Sequence, residues 1–98
     1  WFGFLITIKE NAGFTRDLMI KHLEDNGIQT RMLFAGNLIK HPCFDEMRKE
    51  GVNYRVVGEL TNTDIIMNRT FWIGVYPGLN ENVIKHILDC FAGFMDRQ

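Results

Sequence analysis

Phe2, Phe4, Ile6 and Ile8 alternate with Gly3, Leu5, Thr7 and Lys9 at the head of the chain. A period of two puts successive side chains on opposite faces, which an extended strand satisfies and a helix does not. The run predicts a strand with one strongly apolar face, and such a strand needs partners along its edges and a layer packed on that face. The 98 residues are 46% apolar and 23% charged, a balance that supports one globular core rather than a disordered tail. The alternation begins at Trp1, with no initiator methionine, so the chain is expected to be a piece excised from a larger protein.

Asn11-Ala12-Gly13 interrupts the alternation, and Thr15 then offers a hydroxyl to cap a helix. Asp17 falls in its first turn, and Phe14 and Met19 are spaced as a hydrophobic staple. Leu18, Met19 and Leu23 are the predicted buried stripe, and Asn26-Gly27 followed by Ile28 predicts a Schellman exit in which Ile28 meets Leu23. Residues 28–33 read as a second strand. A helical turn is expected over 44–49, ended by Gly51, and a weak strand over 54–57. Thr61 and Asp64 have capping-box spacing for a short helix over 64–68.

Residues 70–75 are almost wholly apolar, which predicts a strand covered on both faces. Tyr76-Pro77-Gly78 turns the chain, and Asn80 caps a last helix with Leu79 and Ile84 as a second staple. Val83, Ile84, Ile87, Leu88, Phe91, Phe94 and Met95 make that helix's apolar face. The order predicts an α+β fold in a single domain over 1–98, with helices packed on a small mixed or antiparallel sheet. Trp1, Leu5, Trp72 and Ile73 cannot all face helices on one side, so the second face of the sheet also requires a cover.

A net charge of -1 with acids and bases interspersed offers no basic stripe for a phosphate backbone, which argues against a nucleic-acid partner and against an RNA-recognition sheet. No apolar run approaches the roughly 20 residues that span a bilayer, and no signal peptide is evident, so a cytoplasmic protein without a membrane partner is expected. Cys43 and Cys90 are expected as free thiols in that compartment. His22, His41 and His86 lack the spacing of a metal site, and Cys43 lacks a clear base, so neither a metal nor a catalytic nucleophile is assigned.

Binding residues are more legible. Arg31 sits near the end of a strand running into Phe34-Ala35-Gly36-Asn37-Leu38-Ile39-Lys40-His41-Pro42, a loop too apolar for an ordinary surface turn. A guanidinium there suits a phosphate or carboxylate held by two parallel bonds, while a solvated strand-end arginine is the plainer alternative. Gly36 permits close backbone approach, Asn37 adds an amide that both donates and accepts, and His41 lies where it could donate to a substrate phosphate. Trp72, Phe71 and Tyr76 could stack on a ring, Tyr76 being the best placed, though aromatic residues in an apolar run more often form core.

The stretch Gly27–Asn37, with its T-R-x-x-F-A-G-N core, followed by Leu38 to Pro42 and together with residues 62–68 and 70–79, resembles sugar 3-dehydrases of the DegT/DnrJ/EryC/StrS aminotransferase family, in particular those acting on CDP-4-keto-6-deoxyglucose in lipopolysaccharide O-antigen biosynthesis. The resemblance implies the small C-terminal domain of the aspartate-aminotransferase fold, pyridoxal phosphate fold type I, closing the active site of a larger enzyme. It implies a nucleotide-linked 4-keto-6-deoxysugar as substrate, and pyridoxal or pyridoxamine phosphate bound by the missing large domain. That domain would also hold the catalytic histidine and a [2Fe-2S] cluster in the parent, which would be a homodimer working with a reductase. This fragment would bind no cofactor and be inactive alone, with Arg31, Phe34, Gly36, Asn37, His41 and Tyr76 as its substrate-side contacts. The competing expectation is a free-standing ferredoxin-like ligand-binding or regulatory module.

Overall fold

The computed structural model describes all of residues 1–98. Its strands are β1 (Gly3–Thr7), β2 (Thr30–Met32) and β3 (Thr70–Gly74), and its helices α1 (Arg16–Asp25), α2 (Asp45–Glu50), α3 (Thr61–Arg69) and α4 (Glu81–Met95). The sheet order is β1-β3-β2 with both pairings antiparallel. The chain's most apolar run is therefore the central strand, where both edges are paired.

Register divides the faces. Phe4 lies opposite Ile73 and Ile6 opposite Phe71, and Thr30 and Met32 share those levels from the other side. Phe71 and Ile73 meet Met19 and Leu23 of α1 and Cys90 and Phe94 of α4 in the buried core. Leu5, Trp72 and Arg31 lie on the opposite face, which no helix of this chain covers. The expected two-sided cover of β3 is thus supplied here on the helix side only.

Local chemistry sets the helix ends. The Thr15 hydroxyl accepts from the Leu18 amide at 3.3 Å. Gly27 takes φ +79, and the Ile28 and Gly27 amides donate to Leu23 and Glu24 at 2.9 and 3.0 Å, the paired bonds of a Schellman ending. Asn80 accepts from Val83 at 3.0 Å. Gly51, at φ +69, ends α2. Leu18, predicted for the buried stripe of α1, is exposed; Met19 and Leu23 are buried, with Ile20 packed beside them. His22 and His86 tie the two long helices together, His22 Nε2 bonding the Cys90 carbonyl at 3.0 Å and His86 Nε2 the Asn26 carbonyl at 2.9 Å. Both cysteines are free, Cys43 exposed and Cys90 buried.

Three sequence expectations need correction. The second strand is limited to Thr30–Met32, because Ile28 closes the helix ending and Leu33 already turns toward Gly36. The weak strand over 54–57 does not form: its apolar alternation is present, but residues 52–59 make no backbone hydrogen bond, since no strand of this chain lies alongside. Finally, α3 starts at Thr61 itself with Leu60 as its uncapped N-terminal neighbour, so Thr61 and Asp64 form no capping box. The Asp64 carboxylate is turned to another use.

Candidate functional site

The loop after β2 is held rigid from two sides. Met32 accepts from the Phe34 amide at 2.8 Å and Leu33 from Gly36 at 3.2 Å, which folds the chain tightly back at the strand's end. Phe34 takes φ +46, a left-handed backbone that costs a residue with a Cβ roughly 1–2 kcal/mol. Its ring nevertheless stays 79% exposed. Gly36 takes φ +62 and lies against α3 so closely that a Cβ there would come within 2.8 Å of Met67 Cγ. Only glycine serves at that point.

Asp64, on the first turns of α3, is the anchor. One carboxylate oxygen accepts from the Asn37 amide at 2.8 Å and the other from Lys40 Nζ at 2.7 Å. The bonds from Lys40 and Asn37 hold the Asp64 carboxyl below its ordinary pKa, outweighing partial desolvation, which pulls the other way. From the α2 side, Arg48 donates to the Ile39 carbonyl and, at 3.0 Å, to the His41 carbonyl. His41 Nε2 bonds the Ala35 carbonyl across the loop; a carbonyl only accepts, so that nitrogen carries the proton. Arg16 braces the other end of α3, donating to the Met67 carbonyl at 2.6 Å, where a cation also meets the negative end of the helix.

Phe34, Gly36 and His41 accordingly line one small hollow of about 210 Å³ with Arg16, Leu33 and Met67. Asn37 sits beneath it, 2% exposed, with its amide engaged by Asp64, a position from which it shapes the loop. Arg31 lines a separate hollow of about 420 Å³ with Glu24, Gly27, Ile28 and Gln29. Its Nη1 donates to the Thr30 carbonyl at 2.8 Å. It is not among the seven basic side chains that pair with carboxylates, so most of its donor fork is open to an anion.

Tyr76 stands apart from this cluster. It lies five residues beyond Phe71, the partner of Met32, or roughly 16 Å along the sheet, at the opposite end from the loop. Trp72 is nearer: it is the cross-strand neighbour of Arg31, and its Nε1 donates to the Met32 carbonyl at 3.2 Å. Phe71 is fully buried core. Asp64, Arg16 and Arg48 escaped the sequence reading as site-building residues. Their partners lie 27, 51 and 9 residues away, and only the N-T-D stretch preceding an apolar strand hinted at Asp64.

This arrangement offers contacts suited to holding and orienting a ligand. Nothing in it pairs a nucleophile with a base. All five lysines face solvent, and the two hollows at the loop and at Arg31 carry one arginine each. No three His, Cys, Asp or Glu side chains are placed to hold a metal ion, and no helix is long and apolar enough to cross a membrane.

Residues 1–92 match the sequence model of the DegT/DnrJ/EryC1/StrS aminotransferase family. Among curated proteins, the chain is 53% identical over 94 residues to lipopolysaccharide biosynthesis protein RfbH of Salmonella typhimurium, covering 96% of this chain and 20% of that protein. It is 46% identical over 95 residues to dTDP-4-dehydro-2,6-dideoxy-D-glucose 3-dehydratase of Saccharopolyspora spinosa, covering 97% and 20%. The chain therefore spans about one fifth of the length of these relatives. In fold it is similar to a solved GDP-4-keto-6-deoxymannose-3-dehydratase with bound GDP-perosamine, at TM-score 0.74 and 22% identity over 90% of this chain and 22% of that one. A second structure of that enzyme, with a trapped PLP-glutamate geminal diamine, aligns at TM-score 0.62 and 27% identity over 76% of this chain and 18% of that one.

Proposed function

From the premise that this chain belongs to the DegT/DnrJ/EryC1/StrS aminotransferase family, we propose that it is the small C-terminal domain of a cytoplasmic, pyridoxal- or pyridoxamine-phosphate-dependent sugar-nucleotide 3-dehydratase. In this reading it closes the active site over a nucleotide-linked 4-keto-6-deoxysugar of the CDP type, on the way to a lipopolysaccharide deoxysugar. The 53% identity to a lipopolysaccharide biosynthesis protein and the 3-dehydratase names of other relatives support the reaction class. Relatives about five times the length of the chain favour part of a larger enzyme over a free-standing module.

One observation carries the assignment of the site: a loop braced by Asp64, Arg48 and Met67 holds an exposed aromatic residue, Phe34, in a strained backbone, three residues after an arginine with an open donor fork. Backbone strain that the surroundings over-determine is characteristic of ligand-contacting positions. Arg31 supplies bidentate charge to a phosphate or carboxylate, and Phe34 offers its ring to the sugar or base and displaces water. Gly36 and Asn37 keep the backbone in place beneath them, with His41 locking the loop to itself. Tyr76 contacts ligand in this reading only by reaching in from the far end of the sheet.

The cofactor supplies the electron sink for dehydration when bound, and its ligands belong to the rest of the parent chain. The [2Fe-2S] cluster, the reductase and the homodimer are assigned to the parent on the same reading. In the full-length enzyme, Arg31→Ala is expected to raise KM for the sugar nucleotide or to lower kcat by at least tenfold with the fold intact. Unchanged steady-state kinetics would remove Arg31 from the site.

A further inference from the structure

Only 11 of 98 residues are buried, and the accessible surface is 7518 Å², whereas a compact chain of 11.4 kDa exposes about 5,800 Å². The radius of gyration, 16.9 Å, likewise exceeds the roughly 12.6 Å of a compact domain this long. Part of the exposed surface is an apolar groove beside α4.

Helix α4 carries two apolar stripes. At 100° per residue, Val83, Ile87, Cys90 and Phe94 form one, and Ile84, Leu88, Phe91 and Met95 form the other, together spanning about 160° of the helix. One neighbouring helix covers about 100°. The first stripe meets α1, and its Cys90 and Phe94 are buried. Leu88 and Phe91 of the second, with Ile87 of the first, border a groove of about 460 Å³ whose opposite wall is the helix-facing side of β1 and the end of β3, eight of its nine lining residues being hydrophobic. Leu88 is 62% and Phe4 61% exposed along it.

The groove's chemistry and shape select its occupant. A small-molecule site carries a few convergent polar groups to fix orientation, and this groove has none. A two-fold contact between copies needs a self-complementary patch, and concave against concave leaves a void. About four fifths of the length of the curated relatives lies outside the matched chain.

We infer that the groove seats an amphipathic helix supplied by the same polypeptide outside residues 1–98, lying beside α4 at the usual 8–10 Å helix spacing and completing the helical layer over β1. The inference rests on the reading of this chain as part of a longer enzyme, and adds which surface of it the remainder occupies.

The test uses the full-length polypeptide and alkylation by iodoacetamide, read peptide by peptide so that position 88 is followed alone in a Leu88→Cys variant. Labelling is expected to be at least tenfold slower in the native state than in urea, and equally slow across a hundredfold range of protein concentration. Labelling within twofold of the urea rate overturns the inference, and protection lost on dilution assigns the groove to a second copy instead. Phe4→Cys, also in the groove wall, replaces Leu88→Cys if circular dichroism shows the latter misfolded. A photoreactive residue at position 88 should then cross-link within the same chain to residues outside 1–98, at three- and four-residue spacing. Links between isotopically distinct copies, or at two-residue spacing, defeat the helical occupant. Catalysis does not enter these readouts, so a protected groove in an enzyme of a different reaction would sink the proposed activity and leave this inference standing.

Discussion

Replacing Gly36 by alanine isolates the contact that holds the binding loop against α3. Two costs add at that position. The backbone is at φ +62, where a residue with a Cβ loses about 1 kcal/mol or somewhat more. The new methyl would also sit 2.8 Å from Met67 Cγ, 2.9 Å from its Cβ and 3.2 Å from its Cα. The Cγ can swing away but the backbone Cα cannot, so overpacking adds about 1–3 kcal/mol, for a total of about 2–4 kcal/mol. Gly27 is the internal control: it has φ +79 with nothing within 4 Å of the added Cβ, so Gly27→Ala loses only the backbone part. Urea denaturation of the two variants should therefore differ by about 2 kcal/mol, or about 8–16 °C in Tm for a domain this size. Equal destabilisation by the two substitutions would mean that the loop does not rest on Met67, and the account of a braced site would fail with it.

Three further outcomes follow from the same geometry. The Asp64 carboxyl titrates below its unfolded value, so its stabilisation of the loop is full above about pH 4 and is lost as pH falls through the lowered folded value; carboxyl NMR titration should show this, and Asp64→Asn should flatten that acid limb. Arg16→Met removes the donor on the Met67 carbonyl and should destabilise the chain by about 1.5–3 kcal/mol, with amide exchange rising first at residues 67–70. In the full-length enzyme, Phe34→Gly should relieve the backbone strain yet raise KM for the sugar nucleotide; a lowered KM would show that the ring obstructs the ligand.

What the sequence made legible was local. The Thr15 cap, the Schellman ending at Gly27 and the Asn80 cap each depend on residues within five positions of one another, and each is present. What it concealed was long-range. The spacing of Thr61 and Asp64 looks like a capping box, but the carboxylate is drawn to Asn37 and Lys40, more than twenty residues back, where a charged donor outcompetes a helix-end amide. The burial of Asn37 and its bond to Asp64 were hidden too, because buried and exposed amides are alike in sequence. The separation of Tyr76 from the loop was hidden because nothing in the sequence states that β3 runs away from it. Residues 54–57 have the pattern of a strand, but a pattern cannot supply the strand to pair with. The wide apolar arc of α4, by contrast, was fully visible, and its exposed half is the part of the pattern that this chain does not bury.

The placement of the last strand in the middle of the sheet has a consequence for how the polypeptide is made. β1 and β2 never touch each other; each bonds only to β3, and Thr7 waits for Thr70, 63 residues later. A ribosome therefore releases an edge strand bearing Phe4 and Ile6 well before its partner exists. Closing so long a loop makes sheet formation a late and comparatively slow event, and until then the apolar strand is open to pairing with other nascent chains. Shielding of the first ten residues during synthesis, by chaperone or by protein already folded upstream, is thus part of what this topology demands of the cell.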